Sequence, residues 1–167
     1  MLEILIAGDS FSDANSPLTC ARASVGNASW VRMLAREHKV KCVALLGSSN
    51  YDIAGQIWKQ PGLKIVNLSH PHRLTRHHTP PDFDGYELNM LIAQKISQQL
   101  DTICWTPFVG YEHLNIASPD LDEHNEYYSD EAKSRCTCHH LTQKGNEQLY
   151  SWIKEKINDY TTVQGTL

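Results

Sequence analysis

Short, almost wholly apolar runs recur along the chain and are separated by polar or amphipathic stretches. Glycine, serine or proline lies at or next to the end of each run. Continuous apolar runs of this length are typical of strands that are buried on both faces of a sheet. The pattern therefore predicts strands at residues 2–7, 40–47, 63–69 and 102–108.

The stretches between these runs carry apolar residues at helical spacing. The first predicted helix is capped by Asn27 or Ser29, faces an aromatic and two aliphatic side chains inward, and ends near His38. Three further stripes predict helices: Ile53 with Ile57; Leu88, Leu91, Ile92, Ile96 and Leu100; and Leu149, Ile153 and Ile157, in a helix that Thr142 opens.

Strands that alternate with crossover helices predict a parallel sheet covered on both faces. We therefore expect a three-layer α/β/α sandwich with four or five parallel strands, formed by residues 1–167 as a single domain. Ligands of such sheets gather at the carboxyl ends of the strands. Ser10, Gly47 and the segment 69–72 each follow a predicted strand, so we expect them at this same edge.

Composition and charge exclude several classes of protein. The chain has 167 residues, of which 41% are apolar, and a formal net charge of −4, which gives no basic surface for nucleic acid. No apolar run approaches the ~20 residues that span a bilayer, and no basic segment precedes the first one. We expect a cytoplasmic protein without a signal peptide, with its five cysteines mostly reduced and Cys42 and Cys104 acting as small apolar side chains.

Ser10 stands directly after the first predicted strand. A serine at such a turn exposes its hydroxyl and keeps its backbone N–H out of the sheet, which suits a nucleophile. The same serine can instead cap the turn that follows. The stretch alone leaves both interpretations open.

Three segments together resemble the GDSL, or SGNH, hydrolase family. "GDSFSD" at residues 8–13 is similar to the first block of the family, and "LLGSSN" at residues 45–50 to the second. "HLTQKGNEQL" at residues 140–149 resembles the last block. The three segments occur in the same order as in the family, and the stretch from the first to the last extends over nearly the whole chain.

The resemblance implies acyl transfer to water by a serine esterase. Ser10 would be the nucleophile and His140 the general base, while the backbone N–H groups of Ser10 and Gly47 would bind the oxyanion. It implies no metal and no other cofactor. For a chain of this size it implies a small-molecule or carbohydrate substrate with a short, acetyl-like acyl group.

Two positions differ from the family pattern. An aspartate normally stands three residues before the histidine and orients it, and Thr137 occupies that place here. An asparagine normally follows the third strand and completes the oxyanion hole, and Pro71 stands there. Either a slow esterase or a catalytically inactive binding or structural module follows from these differences.

Other residues of the chain can replace the missing groups. Asn50 is our preferred third oxyanion donor, although it can also cap a helix, and His70 or His72 are alternatives. The orienting acid can come from three aspartates of the long polar segment, Asp120, Asp122 and Asp130. His139 competes with His140 as the base, but His140 stands directly before the Leu-Thr of the family block.

Two side-chain clusters suggest other chemistry. "CTCHH" at residues 136–140 offers thiolates and imidazoles to zinc, with Cys20 or His124 as a further ligand, so a zinc-binding protein is a rival interpretation. The segment of residues 70–78 is either a solvated loop or one wall of the cleft, in which Arg73 and Arg76 can bind an anionic substrate group. Three tyrosines of the later segment can line the opposite wall: Tyr111, Tyr127 and Tyr128.

Overall fold

Four parallel strands form one sheet in the part of the chain that the computed structural model describes, residues 1–12, 29–73, 85–108, 110–114, 116, 119, 141 and 143–164. The strands are β1 (Glu3–Ala7), β2 (Lys39–Cys42), β3 (Leu63–Asn67) and β4 (Thr102–Trp105). The predicted parallel sheet is confirmed. The apolar runs that predicted β2 and β4 extend past these strands, because their last residues enter loops at the carboxyl edge.

Helices connect these strands in the described residues: α1 (Trp30–Leu34), α2 (Asn50–Ile57), α3 (Tyr86–Ser97) and α4 (Gln143–Gln164), with a 3-10 turn at Glu112–Leu114. Ser29 caps α1 by accepting a hydrogen bond from the Arg32 N–H at 3.3 Å, as predicted. The prediction that this helix ends near His38 was wrong. The helix ends at Leu34 and gives way to turns, because the next residues bring the chain to the start of β2.

The strand order is β2-β1-β3-β4. The chain therefore passes from β1 to β2 on one side of β1 and then crosses to β3 on its other side. The strand order reverses at the boundary between β1 and β3. Sheets of this kind bind ligands in the crevice outside the carboxyl ends of the strands at such a point. Ser10 follows β1 and so lies beside this crevice.

Two apolar cores cover the two faces of the sheet. Ile4 and Ile6 of β1 point into a core formed with α1 and α4, which contains Trp30, Leu149 and Ile153. Other residues of β1 point to the opposite face, into a core formed with α2 and α3 that contains Ile53, Ile57, Met90, Ala93 and Ile96. The alternation along β1 thus confirms the three-layer α/β/α arrangement.

The buried face of α3 differs from the predicted stripe. Leu88, Leu91 and Leu100 are 46%, 53% and 94% exposed, whereas the helix buries Met90 and Ala93. The helix therefore turns Met90, Ala93 and Ile96 toward the sheet, and the prediction that all five aliphatic residues face inward was wrong.

The apolar stripe predicted for α4 is confirmed, since Leu149, Ile153 and Ile157 are all buried. The opposite side of α4 is polar and charged. In the described residues, no helix is both long enough and apolar enough to cross a membrane.

Candidate active site

The turn after β1 presents Ser10 at the carboxyl edge of the sheet. Asp9 shapes this turn, because its Oδ1 accepts the Phe11 N–H at 3.1 Å and its carbonyl accepts the Ser12 N–H at 3.1 Å. Ser10 lies between these bonds and is half-buried. Its side chain therefore stands at the tip of a turn whose backbone is fixed on both sides.

Asn67, the last residue of β3, supports this turn from behind. Its Oδ1 accepts hydrogen bonds from the Asp9 N–H at 3.3 Å and from the Ser12 hydroxyl at 3.4 Å. Gly8 has a φ of +150° and packs so closely that an added Cβ would lie 2.9 Å from Asn67. Glycine is therefore required at position 8 by both conformation and space.

The turn after β2 is fastened to the turn after β1. The Leu45 N–H donates to the Gly8 carbonyl at 3.1 Å, and the Ser48 N–H donates back to the Leu45 carbonyl at 3.1 Å. Gly47 lies inside this turn with a φ of +76°, a conformation that favours glycine. Ser10 and Gly47 thus follow adjacent strands and belong to turns that are joined by hydrogen bonds.

The backbone N–H groups of Ser10 and Gly47 have no hydrogen-bond partner among the residues that the structure describes. Each N–H lies just beyond the end of a strand, outside the sheet ladder. Backbone N–H groups in this state can act as donors to an oxyanion.

Asn50 is fully buried and connects two other loops. Its Nδ2 donates to the Tyr111 hydroxyl at 2.6 Å, and its Oδ1 accepts the Ser69 N–H at 2.9 Å. The helix cap is Ser49, whose hydroxyl accepts the Asp52 N–H at 3.2 Å. The direct role of Asn50 in an oxyanion hole stays a prediction.

Tyr111 does not line the cleft as expected. Its side chain is buried, and its hydroxyl donates to the Ser69 carbonyl at 2.5 Å while it accepts from Asn50. Burial raises the pKa of this hydroxyl, against the smaller opposing effect of the Asn50 hydrogen bond. Tyr111 therefore holds the loop after β3 in place as a neutral phenol.

Arg73 reaches inward from the loop after β3. Its Nη1 donates to the Ser69 hydroxyl at 3.0 Å and to the Ser48 carbonyl at 3.4 Å, and it lies 3.5 Å from Oδ2 of Asp9. The side chain of Asn89 on α3 fixes the Arg73 carbonyl at 2.8 Å. The guanidinium thus connects the loops that follow β1, β2 and β3.

Asp9 is almost completely buried beneath this guanidinium. Burial raises the pKa of its carboxyl to about 6, although the Phe11 hydrogen bond and the positive charge of Arg73 act in the opposite direction. The second residue of the Gly-Asp-Ser sequence is therefore a structural carboxylate that holds the turn and pairs with Arg73.

Aromatic rings line the edge of the sheet next to Ser10. Phe11 packs edge-on against Phe108 with ring centroids 5.7 Å apart, and Phe108 packs edge-on against His70 at 5.4 Å. His72 extends the row, 5.6 Å from His70 and 5.1 Å from Tyr86. Partial burial lowers the pKa of His70, with further lowering from His72 and Arg73.

Leu141 stands directly after the predicted base and is linked through two further residues to the turn of Ser10. Its carbonyl accepts a hydrogen bond from Nδ2 of Asn146 at 3.4 Å, and Oδ1 of Asn146 accepts the Trp30 N–H at 3.0 Å. The indole N–H of Trp30 donates to the carbonyl of Phe11 at 2.9 Å. Residue 141 is therefore joined by a short chain of hydrogen bonds to the residue after Ser10.

Several predicted residues lie outside the described part of the chain. They are His140 and His139, the positions Thr137, Asp120, Asp122 and Asp130, the zinc candidates Cys136, Cys138, Cys20 and His124, and Arg76, Tyr127 and Tyr128. Within the described ranges, three or more metal-binding side chains are nowhere clustered.

Sequence reasoning missed two residues that shape the site. Asn67 interrupts the apolar run of residues 65–68, and a polar residue in a strand buried on both faces is itself a signal of a specific partner. Gln56 lies on α2 and forms hydrogen bonds with Gly8 and Ser48. Its position along the helix does not indicate these bonds from the sequence.

Comparisons with known proteins agree with this geometry at the level of the fold. No family model matches the chain, and no curated protein matches it. The chain is similar to the psychrotrophic esterase EstA from Pseudoalteromonas sp., solved in a form inhibited by monoethylphosphonate, with 15% identity, a TM-score of 0.51 and coverage of 95% of this chain and 100% of that one. The fold is that of the GDSL, or SGNH, hydrolases.

A second solved structure has the same fold. It is a lipolytic protein of the G-D-S-L family from Desulfitobacterium hafniense, with 14% identity, a TM-score of 0.50 and coverage of 90% of this chain and 98% of that one. The resemblance drawn from the three sequence segments is thereby confirmed for the fold of this chain.

Proposed function

We propose that this protein is a single-domain serine esterase that removes a small, acetyl-like acyl group from a small-molecule or carbohydrate ester, with Ser10 as nucleophile and His140 as base. The observation that carries this proposal is the hydrogen-bonded chain from Leu141 through Asn146 and Trp30 to Phe11. It connects the residue after His140 to the residue after Ser10, which is compatible with the direct contact that a nucleophile and its base require.

The reaction divides into two acyl transfers. Oγ of Ser10 attacks the acyl carbon while the imidazole of His140 accepts the hydroxyl proton, and the leaving alkoxide then takes that proton as the carbon–oxygen bond breaks. Water attacks the acyl-serine in the second transfer and gives a proton to His140. His140 returns this proton to Oγ of Ser10 as the ester bond breaks, which releases the acid and free Ser10.

The backbone supplies stabilisation of the negative charge. The N–H groups of Ser10 and Gly47 lie on joined turns and are free of other partners among the described residues. Each such donor contributes typically about 3 kcal/mol to lowering the barrier. Because Gln56 and Asn67 fix these turns, the donors are oriented before substrate binds.

Labelling with a fluorophosphonate tests the activated serine. We expect wild type to gain one phosphonyl group by mass spectrometry, Ser10→Ala to gain none, and the control Ser151→Ala, on the exposed side of α4, to react as wild type does. Modification of Ser10→Ala at the wild-type rate would contradict the assignment of the nucleophile.

Hydrolysis of p-nitrophenyl acetate tests the pair. We expect Ser10→Ala and His140→Ala to lose activity to a similar extent, roughly 10³-fold or more in kcat, because nucleophile and base act as a unit. Equal rates for wild type and both variants would show that the measured hydrolysis is background.

A catalytically inactive binding or structural module is the second candidate. It is favoured by the buried Pro71, which has no N–H at the position of the family's asparagine, and by Thr137 at the position of the acid. The labelling experiment separates the two candidates, since the module predicts no phosphonylation of wild type.

A cytoplasmic location completes the proposal. Cys104 is a free thiol that packs against one apolar core, and Cys42 packs against the other. Free thiols of this kind are usual in a reducing compartment. Fractionation of cells that express the native chain tests this point.

A further inference from the structure

The candidate oxyanion hole has two backbone donors and lacks the side-chain donor of the family. Pro71 is buried and has no N–H, while Asn50 is fully buried and donates to Tyr111. The loop after β3 nevertheless carries two exposed imidazoles, His70 and His72. These two exposed side chains are the candidates on this loop for a donor that faces substrate.

Ring packing favours His70 over His72. The His70 ring lies edge-on to Phe108, at 5.4 Å and 74°, and Phe108 lies edge-on to Phe11, the neighbour of Ser10. The ring of His72 instead packs on Tyr86, at the far end of the row. His70 is therefore the imidazole nearer to the turn of the nucleophile along this row.

A hydrogen bond determines which nitrogen of His70 carries the proton. The backbone N–H of His72 donates to Nδ1 of His70 at 3.3 Å. Nδ1 is then an acceptor without a proton, and a neutral imidazole must carry its single proton on Nε2. The ring thus offers an Nε2–H donor on the side that is not bound by its own loop.

The charge state of His70 suits a donor that keeps its proton. Partial burial lowers its pKa, and the neighbouring side chains of His72 and Arg73 lower it further. These effects favour the neutral imidazole over the charged form. A neutral imidazole can polarise a carbonyl oxygen by hydrogen bonding without transferring its proton.

We propose that Nε2–H of His70 is the third donor of the oxyanion hole and replaces the missing asparagine amide; this inference rests on the proposed esterase function. As Oγ of Ser10 bonds to the acyl carbon, the carbonyl π pair moves to oxygen, and that oxygen accepts the Nε2–H hydrogen bond. The proton stays on His70 throughout, and the pair returns to the carbonyl when the alkoxide leaves.

Three variants test the donor separately from the ring. His70→Phe keeps a ring against Phe108 but has no N–H, His70→Gln restores a donor of similar reach, and His72→Phe removes the neighbouring imidazole. With p-nitrophenyl acetate we expect His70→Phe to lower kcat about 100-fold with KM nearly unchanged, as loss of one oxyanion donor does. His70→Gln should recover a large part of this loss, and His72→Phe should have a smaller effect than His70→Phe.

The rate of phosphonylation gives a second readout of the same donor. A fluorophosphonate develops negative charge on its oxygen as Ser10 attacks, so His70→Phe should react more slowly by a similar factor. A merely structural role for His70 predicts instead that His70→Gln is no better than His70→Phe.

The outcomes separate this inference from the proposed function. If wild type reacts and His70→Phe keeps the wild-type kcat, the esterase stands, His70 is overturned as a donor, and the earlier prediction for Asn50 takes its place. A greater loss with His72→Phe than with His70→Phe also overturns the assignment. If neither wild type nor any variant exceeds Ser10→Ala, both proposals fail together.

Discussion

The side chain of Gln56 and the backbone of Gly8 form two hydrogen bonds with each other. Oε1 of Gln56 accepts the Gly8 N–H at 2.8 Å, and Nε2 donates to the Gly8 carbonyl at 3.1 Å. The same Nε2 donates to the Ser48 hydroxyl at 3.0 Å. One side-chain amide on α2 therefore fixes the turn that carries Ser10 relative to the turn that carries Gly47.

Gln56→Ala should impair catalysis by loosening this arrangement. We expect kcat/KM for p-nitrophenyl acetate to fall about 10- to 100-fold, because small displacements of catalytic groups have effects of this size. The free energy of unfolding should fall by only about 1–3 kcal/mol. The matched control is Gln94→Ala on the exposed face of α3, which should leave both quantities unchanged. A variant with wild-type kcat/KM would show that the two turns keep their relative position without Gln56.

Gly8 and Gly55 should respond to alanine in opposite ways. A Cβ at Gly8 would lie 2.9 Å from the buried Asn67, whereas a Cβ at Gly55, on α2, meets nothing within 4 Å. Gly8→Ala should lower the free energy of unfolding by about 1–3 kcal/mol through overpacking. Gly55→Ala should raise it by about 0.5–1 kcal/mol, since alanine favours the helix. Urea denaturation of both variants measures whether the free energy of unfolding rises or falls relative to wild type. A Gly8→Ala protein as stable as wild type would contradict the close packing of the turn.

Periodicity along the sequence was sufficient to predict the strands and the layered architecture. Continuous apolar runs reflect burial on both faces, which β1 shows directly through its contacts with two cores. The face of α3 was mispredicted because Met90, Ala93 and Ile96 also lie at helical spacing, and the packing against the sheet that buries them has no local signature in the sequence.

Position along the chain predicted Ser10 and Gly47 at one edge, because the end of each parallel strand meets the same crevice. It could not predict the contacts of Arg73, which bonds Asp9 and the neighbouring loops. The same holds for Tyr111, which is buried against Ser69. Such side chains act through long-range contacts that depend on the assembled loops.

Tyr111→Phe should destabilise the loop after β3. It removes the hydroxyl that joins Asn50 to the Ser69 carbonyl and leaves two buried polar groups without this partner. We expect the free energy of unfolding to fall by about 1–3 kcal/mol. Tyr51→Phe is the matched control, because Tyr51 is 66% exposed on α2. Equal stability of both variants, measured by thermal or urea denaturation, would contradict the role of the buried hydroxyl.

Thr137→Asp should raise activity if no acid orients the base. The new carboxylate would stand three residues before His140, as in the family, and would stabilise the imidazolium formed during attack. We expect kcat/KM above wild type, with no gain from the control Thr162→Asp at the exposed end of α4. Asn variants of Asp120, Asp122 and Asp130 complete the test, since a steep loss in one of them would identify the acid and contradict the expectation.

The buried Asp9 should make stability depend on pH in a defined direction. Its pKa is about 6 in the folded protein against an ordinary value of 3.8, because burial disfavours the charged form. Between these values the folded protein holds a proton that the unfolded chain has released. The proton on Asp9 therefore contributes to the free energy of unfolding. This contribution is fully present below pH 3.8 and is lost as the pH rises through about 6, and it amounts to about 3 kcal/mol in total.

Asp9→Asn should remove this dependence while it keeps the turn. The amide retains an oxygen that can accept the Phe11 N–H, and Arg73 keeps its bonds to Ser69 and to the Ser48 carbonyl. We expect the variant to lose less stability than wild type between about pH 4 and about pH 7, measured by urea denaturation. Asp159→Asn is the control, because that carboxylate is exposed on α4, and this variant should show the wild-type decline.

Other acids titrate in the same window in all three proteins, so the difference between Asp9→Asn and wild type isolates the buried carboxyl. Parallel curves for these two proteins would mean that Asp9 is ionised at all of these pH values, and that Arg73 compensates its burial completely.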